Sequence, residues 1–122
     1  MKNMPLPHEH HTVAAAPKLR EKLAQTADFQ RTAEAFRQLG DASRLRIYWL
    51  LCHCEQCVIN ISALVQMSSP AVCHHLRQLK NSGLIVSRRE GKEVYYKAAD
   101  TEQSKLLHRA IERVLTIACP QE

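Results

Sequence analysis

The chain has 122 residues, enough for one domain with a modest core. Hydrophobic residues make up 45% and aromatics only 5%, the balance of a small helical protein rather than a disordered one. The formal charge of +5 favours polyanionic partners, and no signal peptide or run of the ~20 apolar residues that span a membrane is visible, so a cytoplasmic protein with reduced thiols is expected.

Residues 1–16 carry Pro5, Pro7, three histidines and an alanine run, and read as a flexible arm; residues 17–119 read as the folded domain. From Pro17 to Leu39 the pattern is helical, with Leu19, Leu23, Ala27, Ala33, Phe36 and Leu39 as candidate buried positions, in one long helix or two short ones. Gly40 ends this stretch. Asp41 or Ser43 starts the next helix, in which Leu45, Tyr48, Trp49 and Cys52 share a face. Ile59 to Val65 forms a short helix, the first half of a helix-turn-helix.

The second half is the most informative stretch. Ser68 or Ser69 can cap a helix whose first turn takes Pro70, and Gly83 supplies a left-handed stop. Val72, Leu76 and Leu79 fall on one face, while His74, Arg77 and Gln78 point the other way, as a helix entering a major groove requires. Two β-rich runs follow, Leu84 to Arg88 and Glu93 to Lys97, around a turn at Glu90-Gly91, with Arg88, Arg89 and Lys92 crowded at the tip. Residues 70–97 hold six Lys and Arg against two Glu. A recognition helix followed by a basic hairpin predicts a winged helix with nucleic acid as its partner.

Asp100 or Thr101 can cap a last helix, closed by Pro120. Its apolar residues Leu106, Leu107, Ile111, Val114, Leu115 and Ile117 spread over more than one stripe, which predicts pairing of this helix with its copy in a homodimer. The expected fold class is therefore mainly α, an α+β winged helix-turn-helix of about five helices and one hairpin. No paired zinc knuckle, phosphate loop or nucleophile–base arrangement is present, so no enzyme and no organic cofactor is expected.

Chemistry concentrates in C-H-C-E-Q-C, Cys52 to Cys57. In a continuous helix Cys52 and Cys54 would point about 200° apart, and they share an ion only if the helix ends near His53. Cys54 and Cys57, three apart, can meet on one turn. Cys52 also suits a small buried hydrophobe beside Leu45 and Trp49.

The order of elements, with L-G-D-A-S-R-L-R-I (39–47), S-S-P-A-V-C-H-H-L-R-Q-L (68–79), G-L-I-V-S-R-R-E-G-K-E-V-Y-Y (83–96) and Asp100, resembles the ArsR/SmtB family of metal-responsive bacterial repressors over residues 29–118. The resemblance implies a homodimer that binds operator DNA and is released by an ion or oxidant. It places Ser68, Ser69, Ala71, Cys73, His74, His75, Arg77 and Gln78, with the wing residues, at the DNA; Cys73 stands where the family usually has Ser or Thr.

Members that respond to cadmium, lead or arsenic carry C-x-C at the start of the third helix. Cys57 matches the first of those cysteines and Ile59 the second, so a thiolate site would be shifted towards Cys52 and Cys54, with His8, His10 and His11 of the arm as further ligands. The family's other site, between the paired last helices, corresponds to Asp100, Glu102, Arg113 and Thr116, and Arg113 cannot bind a cation. His53, His108, Glu112 and Cys119 remain as material for a variant, with His108 and Glu112 also readable as an exposed i, i+4 pair.

The expected effector is Zn²⁺, Cd²⁺, Pb²⁺ or trivalent arsenic. The alternatives are a thiol-redox repressor on the same fold, and a metal-buffering or protein-interaction module that reads no DNA.

Overall fold

A computed structural model describes residues 6–8 and 16–118. The elements run α1 (Ala16–Leu23), α2 (Thr26–Gln38), α3 (Ala42–His53), β1 (Gln56–Cys57), α4 (Val58–Val65), α5 (Ser69–Asn81), β2 (Ile85–Glu90), β3 (Glu93–Ala98) and α6 (Glu102–Ala118). The winged helix-turn-helix is present as expected. Of the two options for the N-terminal stretch the chain takes two short helices, which makes six described helices, and the hairpin gains a third strand that was not expected. No described helix is long and apolar enough to cross a membrane.

The chain forms two compact units, residues 1–33 and 34–122. In the first, Gln25 interrupts the helical stretch, and α2 opens with Asp28, whose carboxylate pairs with Arg31. Leu19, Leu23 and Phe36, expected to be buried, are exposed; on α2 the buried positions are Ala35 and Gln38 instead. The apolar spacing was real, but among the described residues these side chains are exposed.

In the second unit, Ile47, Tyr48 and Leu51 of α3 meet Ile61 and Val65 of α4, Val72, Leu76 and Leu79 of α5, Leu84, Ile85 and Leu107 in one core. Three helix starts follow a local cause. The Asp41 carboxylate accepts from the Arg44 N–H, the Ser68 hydroxyl from Ala71 and the Thr101 hydroxyl from Ser104.

α5 ends in a Schellman arrangement: Leu84 N–H donates to Leu79 O and Gly83 N–H to Lys80 O, with Gly83 at φ 77°. That stop turns the chain directly into β2. Gly91, at φ 63°, makes the two-residue turn to β3. β3 is central, pairing with β2 from Ile85↔Ala98 to Glu90↔Glu93 and with β1 through Gln56↔Tyr96 and Cys57↔Tyr95.

Candidate functional site

The outer face of α5 is built as the spacing requires. With Val72, Leu76 and Leu79 fully or nearly fully buried, His74 and Arg77 are exposed and Gln78 is half-buried. Ser68 and Ser69 are exposed at the start of the helix, Ala71 and Cys73 half-buried. The Ser69 hydroxyl lies 3.2 Å from that of Ser62, tying α5 to α4 across the turn.

His75 departs from this face. Its Nδ1 accepts from Arg44 Nε of α3 at 3.2 Å, and its Nε2 lies 3.8 Å from the Asp41 carboxylate. Burial is the main cause that pulls its pKa down. Arg44 in turn donates to the buried Gln38 at 2.6 Å, whose amide donates to Glu34 at 2.7 Å. A polar chain thus runs from the end of α2 through α3 to His75 of α5. His75 is engaged by Arg44 and Asp41 within the chain.

The wing cations also divide. Arg88 donates to both oxygens of Glu55, at 2.7–3.1 Å, and to Glu90 at 2.6 Å, and its guanidinium lies 4.9 Å from the Tyr95 ring centroid. These hydrogen bonds raise its pKa further and hold the Glu55 carboxyl below the usual carboxylate range. Arg77, Arg89 and Lys92 are exposed and form no ion pair among the described residues. Those three side chains are open to solvent; Arg88 is paired with the loop before β1. Glu55 was not singled out in the sequence, where nothing marks a partner 33 positions away.

The thiols sit in different settings. α3 ends at His53, as a shared Cys52–Cys54 site required, but Cys54 is the extended cap residue, donating through Sγ to Leu50 O at 3.6 Å and accepting from Gln56 at 3.7 Å. Cys57 is buried in β1, opposite Tyr95. Cys52 is half-buried, and burial pushes its thiol up to about 11. None of the three enters a group of three donor side chains among the described residues. His8 is exposed; His10, His11 and Cys119 lie outside the described residues.

One such group does form, from His53, His108 and Glu112. His53 Nε2 is 2.9 Å from Glu112 Oε1, His108 Nε2 is 3.1 Å from the same oxygen, and the two ring nitrogens are 3.2 Å apart. Trp49 Nε1–H donates to that oxygen at 3.1 Å. The His53 hydrogen bond is the main cause that holds the Glu112 carboxyl below its usual range, helped by His108 and Trp49. The i, i+4 spacing of His108 and Glu112 was legible, whereas the approach of His53 depends on how α3 crosses α6.

Comparison with known proteins is consistent with this architecture. The family described as "Bacterial regulatory protein, arsR family" matches residues 41–87. A transcriptional repressor SmtB homolog of Synechocystis sp. is 42% identical over 77 residues, 63% of this chain and 58% of that protein. A cadmium resistance transcriptional regulatory protein CadC homolog of Staphylococcus aureus is 38% identical over 79 residues, 64% of this chain and 65% of that protein. The matched segment therefore spans under two thirds of either relative.

Among solved structures, the homodimeric winged helix-turn-helix DNA-binding domain (fragment 1–100) of a possible ArsR-family transcriptional regulator from Mycobacterium bovis superposes with a TM-score of 0.66 at 25% identity, covering 93% of this chain and 94% of that one. A crystal structure of the same fragment gives 0.64 at 31% identity over 72% and 94%. With the winged helix-turn-helix, the matched segment and these relatives in agreement, the chain belongs to the ArsR family of bacterial regulatory proteins, a family of transcriptional regulators and not of enzymes.

Proposed function

We propose that the protein is a cytoplasmic, homodimeric transcriptional repressor that reads duplex operator DNA with α5 and the β2–β3 wing, and that a bound metal or metalloid ion sets its operator affinity. The observation that carries this reading is the division of charge on the winged helix. Arg77 on α5 and Arg89 and Lys92 on the wing are exposed and unpaired among the described residues, whereas the other basic tip residue, Arg88, is neutralised. Unpaired cations on a helix and the hairpin that follows it are what phosphate contacts need, and His74 and Gln78 beside them supply hydrogen-bonding groups for base edges.

Dimerisation is supported by α6, where Leu106, Val114, Leu115 and Ile117 are exposed on a single chain. The homodimeric M. bovis domain and the repressor and cadmium-resistance relatives support the same assembly and ion control. A twofold dimer places two α5 helices on successive major grooves of a palindromic site. The redox alternative draws less support, because Cys57 is buried and burial pushes the pKa of the Cys52 thiol up.

Sedimentation of the free protein combined with an anisotropy titration against labelled duplex in a salt series tests the reading. It predicts a dimer whose affinity falls steeply with salt; a monomer, or binding indifferent to salt, contradicts it.

A further inference from the structure

The end of α3 and the middle of α6 converge on one point. Trp49 and His53 stand one turn apart on α3, and His108 and Glu112 one turn apart on α6, so each helix presents a pair of side chains to the same gap. We infer that His53, His108 and Glu112 form a binding site within one subunit for a borderline divalent cation such as Zn²⁺, Co²⁺ or Ni²⁺, and that the ion clamps the end of α3 to α6.

The geometry fits a metal face. Donors 2.0–2.1 Å from a tetrahedral ion are separated by about 3.3 Å. The three edges here are 2.9, 3.1 and 3.2 Å, so coordination needs only a slight spreading of the side chains. An exposed i, i+4 pair of His108 and Glu112 explains one edge. It does not explain why His53, 55 positions away from His108, points Nε2 at the same oxygen and the same ring nitrogen.

Trp49 completes the arrangement from outside. Its N–H holds the Glu112 oxygen, as outer partners of ligating carboxylates do. Side chains of His53 and Glu112 are 44% and 43% exposed, which leaves an entry path and room for water in the fourth position. Two imidazoles and a carboxylate suit Zn²⁺, Co²⁺ and Ni²⁺, and offer none of the sulfur that trivalent arsenic or lead prefers.

The same ion reaches the recognition helix through α3. α3 packs against both α5 and α6, and its Arg44 holds His75 of α5. Fixing the far end of α3 to α6 changes the frame in which α5 sits. This regulatory half rests on the DNA-binding reading; the binding of the ion does not.

Direct binding is measured on the reduced full chain without DNA. Co²⁺ should give visible ligand-field bands without intense near-ultraviolet sulfur-to-metal charge transfer, and calorimetry should count one tight Zn²⁺ per chain. Ni²⁺ should quench Trp49, the sole tryptophan. His108→Gln and Glu112→Gln should each weaken Zn²⁺ binding by about 100-fold or more, while Cys54→Ser/Cys57→Ser leaves it unchanged.

In the unsubstituted chain, which needs no variant to fold, Zn²⁺ should shift the Nε2 resonances of His53 and His108 together. Strong charge transfer lost in Cys54→Ser/Cys57→Ser, or Zn²⁺ shifts that spare His53 and His108, overturns the site. With duplex present, Zn²⁺ should lower affinity in the wild type and not in His108→Gln. DNA affinity that ignores saturating Zn²⁺ overturns the regulatory half, whereas failure to bind DNA with or without ion counts against the DNA-binding reading.

Discussion

Arg88 in β2 grips Glu55, in the loop between α3 and β1, through both Nε and a terminal guanidinium nitrogen, with contacts of 2.7–3.1 Å to the two carboxylate oxygens. The fork-on-fork geometry ties the wing to the loop that follows α3. It also separates Arg88 from Arg89, its neighbour in sequence, whose side chain is exposed.

Salt dependence should therefore tell the two arginines apart. Arg89→Ala should reduce the slope of log affinity against log salt by about 1.8, the share of two phosphate contacts, one from each subunit of the dimer, and Lys92→Ala by a similar amount. Arg88→Ala should leave the slope unchanged, because that charge is already neutralised. Glu55→Gln/Glu90→Gln should steepen it by freeing Arg88 from both carboxylates. Equal losses from Arg88→Ala and Arg89→Ala would show that the Glu55 pair opens on DNA.

Stability in acid should report the cap of α3. The Asp41 carboxyl is held below its usual range, chiefly by the backbone N–H of Arg44. A depressed carboxyl contributes stability that is present above its unfolded pKa and lost as pH falls through the folded value. Asp41→Ala should cost about 1 kcal/mol at neutral pH, and Asp41→Asn, which still accepts the hydrogen bond, much less. In denaturant titrations the difference between wild type and Asp41→Asn should shrink as pH drops below about 4.

Tyr48 should be the most sensitive polar residue of the core. It is fully buried, its hydroxyl contacts Ser104 Oγ at 2.5 Å and O at 3.1 Å, and burial pushes its pKa up to about 12. Tyr48→Phe should cost roughly 1–2 kcal/mol by orphaning the Ser104 groups, and Tyr48→Ala roughly 3–5 kcal/mol. Chemical denaturation measures both; a neutral Tyr48→Phe would mean that Ser104 finds another partner.

Cys52 should be a slow thiol. With its pKa near 11, the thiolate is scarce at neutral pH. Iodoacetamide should alkylate it roughly 100-fold more slowly than a free cysteine, followed residue by residue by mass spectrometry. Rapid modification of Cys52 would restore the redox alternative.

What the sequence revealed of the fold was local. Ser68, Pro70, Gly83 and Gly91 act through their own backbone geometry, so the recognition helix and hairpin could be placed from them. β1 could not, since two residues carry no period and their strand character comes from pairing with Tyr95 and Tyr96. For the same reason the chemistry was legible as a thiol cluster: cysteines close in sequence attract notice, while His53 meets His108 and Glu112 only once α3 and α6 cross. His75 and Arg88 show the converse. Their type and position suit DNA, and their partners Arg44 and Glu55, distant in sequence, could not be read from it.

Selection of duplexes from a random-sequence pool tests the central claim, that α5 reads base sequence. The account predicts that the wild type enriches a palindrome with half-sites about one helical turn apart, and that Gln78→Ala relaxes the preference at a symmetric pair of positions while Arg77→Ala weakens binding throughout. Enrichment of no consensus, or of the same consensus at the same affinity by Arg77→Ala/Gln78→Ala, would contradict it.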